Sequence, residues 1–86
     1  MEKLVIYTTQ TCPFSRASKH LLKERNIDFE EIDVTFDLKM QDFLFQKTGY
    51  ETVPLIFCGN KFVGGFCELK ELDERGELKH SLGLAA

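Results

Sequence analysis

The stretch Leu4-Val5-Ile6-Tyr7-Thr8-Thr9-Gln10-Thr11-Cys12-Pro13-Phe14-Ser15-Arg16 holds two periodicities back to back. Lys3 to Thr8 is apolar, β-branched and aromatic, the pattern of a short buried strand. Thr9 to Thr11 is a polar connector. Pro13 then marks a helix start, because its missing N–H is one that a helix leaves unpaired in any case. From Pro13 to about Arg25, Phe14, Ala17, Leu21 and Leu22 share one helical face, with Arg16, Lys19, Lys23 and Glu24 opposite. Asn26 can end that helix. A strand, a tight connector and a helix with a cysteine at the junction open a β-α-β unit.

Reading outward, Asp28 to Val34 sets Ile32 and Val34 in alternation with charged residues, a second strand with one wet face. Asp37 or Thr35 can cap a second helix running to about Thr48, with Leu38, Phe43 and Leu44 inward and Gly49 as its stop. Pro54 to Cys58 and Lys61 to Val63 read as two strands joined by the turn residues Gly59-Asn60. Gly64-Gly65 breaks the second of these. Phe66, Leu69 and Leu72 open a third helix, and Gly76 interrupts it before a tail containing Leu78 and Leu82. The order β-α-β-α-β-β-α predicts an α/β fold of thioredoxin-like architecture. A parallel first pair and an antiparallel hairpin make a four-stranded mixed sheet flanked by three or more helices on both faces.

Composition bounds the function. The 86 residues allow one core, so residues 1–86 are expected to be a single domain, acting as a monomer. A net charge of −3 argues against a nucleic-acid partner. No apolar run approaches the roughly 18–20 residues of a membrane span, and the run after Met1 is too brief for a signal-peptide core. Three cysteines form no CxxC pair, and His20 and His80 fall outside any ligand spacing. That pattern predicts no bound metal and a reducing, cytoplasmic setting.

Cys12 is the candidate for chemistry. At a helix start, unpaired N–H groups and the positive end of the helix dipole favour a thiolate, and Arg16 lies one turn on. Cysteine is a poor N-cap, so a purely structural role there has little to recommend it. Ser15 stands where a CxxC dithiol has its second sulfur. It either donates a hydrogen bond to the thiolate or faces water; it cannot resolve a mixed disulfide. Cys58 reads as core. Cys67 is either packing at a helix start or a resolving thiol for Cys12. Phe14 is expected to be partly exposed along a substrate groove, with Phe43, Phe45 and Phe66 as core or groove wall.

Cys12-Pro13-Phe14-Ser15 after the first strand, Thr52-Val53-Pro54 before the third and Gly64-Gly65 after the fourth together resemble the glutaredoxins, over essentially the whole chain. The resemblance implies a cis Val53–Pro54 bond, with the Val53 backbone pairing with a substrate chain by strand addition. It implies glutathione as co-substrate, with no tightly bound cofactor. Glutathione would be held by Pro13, Phe14, Thr52, Val53 and Pro54, with Gln41 at its glycine carboxylate. Cys67 and Glu68 would take its γ-glutamyl end through a helix N-terminus and an acidic side chain. The implied activity is reduction of glutathionylated or disulfide-containing proteins by a monothiol mechanism through Cys12. Two binding-module alternatives are a glutathione-ligated [2Fe–2S] carrier and a redox-inert adaptor. A third is an isolated glutathione-transferase N-terminal domain, which Gly64 to Glu68 suits less well. Cluster-assembling monothiol members carry Gly where Pro13 stands.

Two further departures remove positive charge near the expected glycine carboxylate: Thr9 stands where the family usually has Lys, and Glu51 where a basic residue is common. Because a charge-assisted hydrogen bond contributes about 1.5–3 kcal/mol, Thr9→Lys should lower the Michaelis constant for glutathione severalfold. Equal constants for the two proteins in steady-state kinetics would show that another group already fills that role.

Overall fold

β1 (Leu4–Thr8) and β3 (Leu55–Cys58) form the middle of the sheet because both are apolar enough to be covered on two faces. β2 (Glu30–Asp33), mostly exposed, and β4 (Lys61–Gly64), exposed only at Lys61, take the edges in the order β2-β1-β3-β4. β1 pairs with β2 in parallel and with β3 antiparallel, and β3 pairs with β4 antiparallel. The helices are α1 (Pro13–Glu24), α2 (Leu38–Thr48) and α3 (Phe66–Glu74). This computed structural model describes residues 3–78; His80 and Leu82 lie outside them. The mixed sheet and its three helices are the thioredoxin-like architecture expected from the pattern.

The alternation of side chains along the central strands sorts the core into two layers. On one face Leu4, Ile6, Ile56 and Cys58 meet Leu22 of α1 and Leu69 of α3. On the other, Leu55 and Phe57 meet Leu44 of α2, flanked by Tyr7, Met40, Phe45, Tyr50 and Phe62. Cys58 is thus core, as its position predicts. The helix stops also match. Asn26 and Gly49 both take the left-handed conformation, just past α1 and α2. The Asp37 side chain accepts from the Met40 N–H and caps α2.

Three expectations are corrected. The second strand is shorter than the stretch 28–34, because only Glu30–Asp33 lies in register along β1, while Val34, buried just beyond it, adds one N–H bond to the Thr8 carbonyl at 2.8 Å. α2 turns Met40, Gln41, Leu44 and Thr48 towards the sheet, so Leu38 (73% exposed) and Phe43 (57%) fall to the flanks instead of inward. In α1 the fully buried positions are Ser15, Ser18 and Leu22, while Ala17 and Leu21 are half-buried. The small serines let the helix backbone lie close to its neighbours, a solution that hydrophobic periodicity does not reveal.

Charged contacts tie the periphery. Glu31 accepts from Lys19 Nζ at 2.9 Å and from the buried Thr8 hydroxyl at 2.7 Å. These bonds, Lys19's first, hold its carboxyl below the ordinary Glu value. Asp73, gripped by both ends of the Arg25 guanidinium at 2.6 and 3.0 Å, is likewise lowered. A carboxyl depressed in the folded state binds fewer protons there than in the unfolded chain. Its contribution is complete above the unfolded value and is lost as pH falls through the folded one. The melting temperature should therefore drop as pH falls from about 5 to about 3, less steeply for Glu31→Gln than for the parent chain. Parallel curves would show that Glu31 titrates alike in both states.

Candidate active site

The register Tyr7↔Leu55 sets the chain leaving β1 beside the chain entering β3. The placement of Cys12 against Val53 follows from that adjacency. Cys12 is the N-cap residue of α1, extended at φ −90° and ψ 114°, with its carbonyl accepting from the Arg16 N–H at 3.4 Å. Its side chain makes no capping bond, and the first turn holds no acidic residue, so the positive end of α1 is left for the sulfur. Cys12 is half-buried, and its thiol donates to the Val53 carbonyl at 3.4 Å.

The connector before Cys12 is anchored from outside. The Gln10 N–H donates to the Thr35 hydroxyl at 2.8 Å and its amide donates to Asp33 at 2.9 Å. Asp33 also accepts from the Thr35 hydroxyl and backbone N–H. Those Thr35 bonds, then Gln10's, hold the Asp33 carboxyl below the usual range. Two loops that meet only in three dimensions thus brace one another at the approach to Cys12.

Thr52, Val53 and Pro54 enter β3 opposite Cys12, and the Val53–Pro54 bond is cis, as the family resemblance implies. They form one side of a groove of about 210 Å³. Phe14, 57% exposed, and Phe66 form an aromatic wall, with ring centroids 5.8 Å apart. Tyr50, Cys67 and Glu68 close the far end. Cys67 is exposed at the start of α3. The Glu68 carboxylate turns back to accept from the Gly65 N–H at 2.7 Å. The nearby Glu68 carboxylate holds the Tyr50 hydroxyl above the ordinary Tyr value. The fold-back requires glycine at 64: φ is +134°, and a Cβ there would lie 2.6 Å from Glu68 Cγ.

Of the residues singled out from sequence, Phe14, Thr52, Val53, Pro54, Cys67 and Glu68 converge on this groove, with Cys12 hydrogen-bonded to Val53 and Pro13 exposed beside it. Gln41 is not among the lining residues; its amide nitrogen donates to the Val34 carbonyl at 2.6 Å. Ser15 needs correction. It is 1% exposed and its hydroxyl has no hydrogen-bond partner among the described residues, so it neither faces water nor reaches the thiol. Tyr50 was missed by sequence reasoning; an aromatic residue just before Thr52-Val53-Pro54 was the signal available. Among the described residues no cluster of His, Cys, Asp or Glu is arranged to hold a metal ion, and no helix is long and apolar enough to cross a membrane.

Comparison with known proteins agrees with this geometry. The family profile described as glutaredoxin matches residues 4–63. Glutaredoxin-1 of Sus scrofa is 40% identical over 82 residues, covering 88% of this chain and 77% of that protein. A glutaredoxin of Pseudomonas aeruginosa is 38% identical over 78 residues, covering 91% and 93%. Among solved structures, a glutaredoxin from Brucella melitensis superposes with a TM-score of 0.87 at 32% identity, covering 98% of this chain and 91% of that one. A buckwheat glutaredoxin–glutathione complex gives a TM-score of 0.87 at 26% identity, covering 99% and 83%.

The orphaned Ser15 hydroxyl makes a specific expectation. Removing a buried donor that satisfies nothing costs little, so Ser15→Ala should melt at or above the parent temperature. Its Cys12 should react with a small aromatic disulfide within about twofold of the parent rate. A large loss of rate in stopped-flow measurement would place the hydroxyl on the reaction path.

Proposed function

Because the chain belongs to the glutaredoxin family, whose members are thiol–disulfide oxidoreductases, we propose that it reduces glutathione mixed disulfides by a monothiol mechanism through Cys12. The observation that carries this reading is the placement of the Cys12 sulfur at the start of α1 and against Val53, with Ser15 where a second thiol would stand.

The steps follow from these groups. The Cys12 thiolate attacks the glutathione sulfur of a protein–glutathione disulfide. A bond forms between Cys12 and glutathione, the protein–sulfur bond breaks, and the protein thiolate leaves and takes a proton. A second glutathione thiolate attacks the bound glutathione sulfur, releasing oxidised glutathione and the Cys12 thiolate. Two glutathione molecules supply the two electrons. The helix field favours Cys12 both as the attacking thiolate and as the leaving group of the second step. The thiol–Val53 hydrogen bond exists only while Cys12 is protonated. Its loss frees the Val53 carbonyl to accept from the backbone of an incoming chain.

Bound glutathione would lie along the groove between Pro13, Phe14 and Thr52-Val53-Pro54, with its γ-glutamyl carboxylate at the N-terminus of α3 beside Cys67 and its ammonium at Glu68. The buckwheat neighbour, a glutathione complex on the same fold, supports this choice of ligand. Gln41 would reach the glycine carboxylate only by giving up or sharing its bond to Val34. Pro13, which has no N–H to offer at the mouth of the site, weighs against cluster carriage.

The test is reaction with oxidised glutathione, followed by intact mass. The parent chain should gain one glutathione that a second glutathione removes, and Cys12→Ser should gain none while keeping its melting temperature. An adduct that persists on Cys12→Ser would sink the mechanism. An as-isolated visible absorption band that depends on glutathione would favour the cluster carrier.

A further inference from the structure

At neutral pH glutathione carries two carboxylates and one ammonium. The far end of the groove, at Glu68 and the N-terminus of α3, suits the ammonium and one carboxylate. The glycyl carboxylate must find its partner elsewhere, and the rest of the rim is neutral or acidic. Among the described residues, none that lines the groove is Lys or Arg. Glu51 is exposed and stands between Tyr50 and Thr52, which both line it. The connector Thr9-Gln10-Thr11 carries no charge, and the Gln10 amide is committed to the Asp33 carboxylate at 2.9 Å. The Gln41 nitrogen donates to two backbone carbonyls, Val34 at 2.6 Å and Thr35 at 3.4 Å, which leaves its acceptor oxygen for a ligand. Arg16, one turn beyond Cys12, is exposed and outside the lining residues, and Lys19 is paired with Glu31 at 2.9 Å.

We propose that the site selects a γ-glutamylcysteinyl thiol whose C-terminal carboxyl is masked as an amide, a cationic amide above a neutral one, and that Glu51 is the residue that selects it. The proposal rests on the reading of this groove as a glutathione site and narrows the class of thiol it takes. An amide removes the charge that Glu51 repels and supplies an N–H for the Gln41 oxygen. An amine beyond the amide gives Glu51 an opposite charge to face. The exchange at sulfur is unchanged. Cys12 takes the small-thiol half of a mixed disulfide, the protein thiolate leaves with a proton, and a second molecule of the same thiol frees Cys12 and departs as the symmetric disulfide. Glu51 takes no part in bond making, so its influence falls on binding.

The measurement is stopped-flow reaction of the reduced protein with one peptide linked by a disulfide to three thiols in turn: glutathione, its C-terminal glycinamide, and its C-terminal aminopropylamide. Saturation of the rate with peptide separates an apparent dissociation constant from a limiting rate. That constant should fall about two- to fivefold from glutathione to the neutral amide and again to the cationic amide, with limiting rates within about twofold. Both steps should shrink in about 0.5 M salt, because Glu51 is exposed. Glu51→Gln, a change on an exposed loop, should bring the three constants to within about twofold by tightening glutathione and loosening the cationic amide. Glutathione bound as tightly as the amides by the parent protein would overturn the proposal. A preference that survives intact in Glu51→Gln would overturn it as well, since the selecting charge would lie elsewhere. Failure of all three thiols to transfer to Cys12 would instead sink the glutathione reading itself, and the selectivity with it.

Discussion

The antiparallel pairing of β1 with β3 is the constraint on which the site depends. Leu4 opposite Cys58 and Tyr7 opposite Leu55 make the end of one strand and the start of the other neighbours. The residues just beyond those ends, Cys12 and Val53, are 41 positions apart in sequence yet hydrogen-bonded. A slip of one residue would turn every side chain of β3 to the other face and exchange the two cores. Such a slip is opposed by burial: Leu55, Ile56, Phe57 and Cys58 are all buried, and each face has its own helix to fill. Site geometry is thus enforced by core packing that has no chemical role of its own.

Two helix N-termini converge on the groove, and they are managed differently. α1 presents Cys12 with no side-chain cap and no acid in its first turn, which leaves its field for the sulfur. α3 places Glu68 in its first turn, satisfies the Gly65 N–H with it and turns the remaining oxygen capacity towards the groove. The pair gives one end suited to a thiolate and another suited to a ligand that carries both signs of charge. The aromatic wall of Phe14 and Phe66 lies between them and is the apolar surface a peptide thiol would cover.

The bracing of the Cys12 connector is polar instead of apolar. Asp33, Thr35 and Gln10 form a network between the end of β2 and the loop before Cys12, on the exposed side of the sheet. Hydrophobic packing is unavailable there because β2 is an edge strand with mostly exposed side chains. Hydrogen bonds between loops are the means left to fix the approach to Cys12.

Much of this was legible in the sequence. Element order came from period-two and helical alternation, and the stops at Asn26 and Gly49 from residues that tolerate left-handed backbone. Cys12-Pro13 declared a helix start at a cysteine, and Thr52-Val53-Pro54 the loop it meets. These features are local: they depend on backbone preferences and spacing within a few residues. What the tertiary structure decided is which faces are covered. Leu38 and Phe43 look like core but lie to the flanks of α2's contact line, while Ser15 and Ser18 look like surface but are buried where α1 packs closely. The Gln10 to Asp33 contact and the Cys12 to Val53 contact join residues 23 and 41 positions apart, and no periodicity encodes such pairs. The physical reason is that burial and hydrogen-bond partnership belong to the packing of elements on one another, and a single chain's pattern reports only the elements.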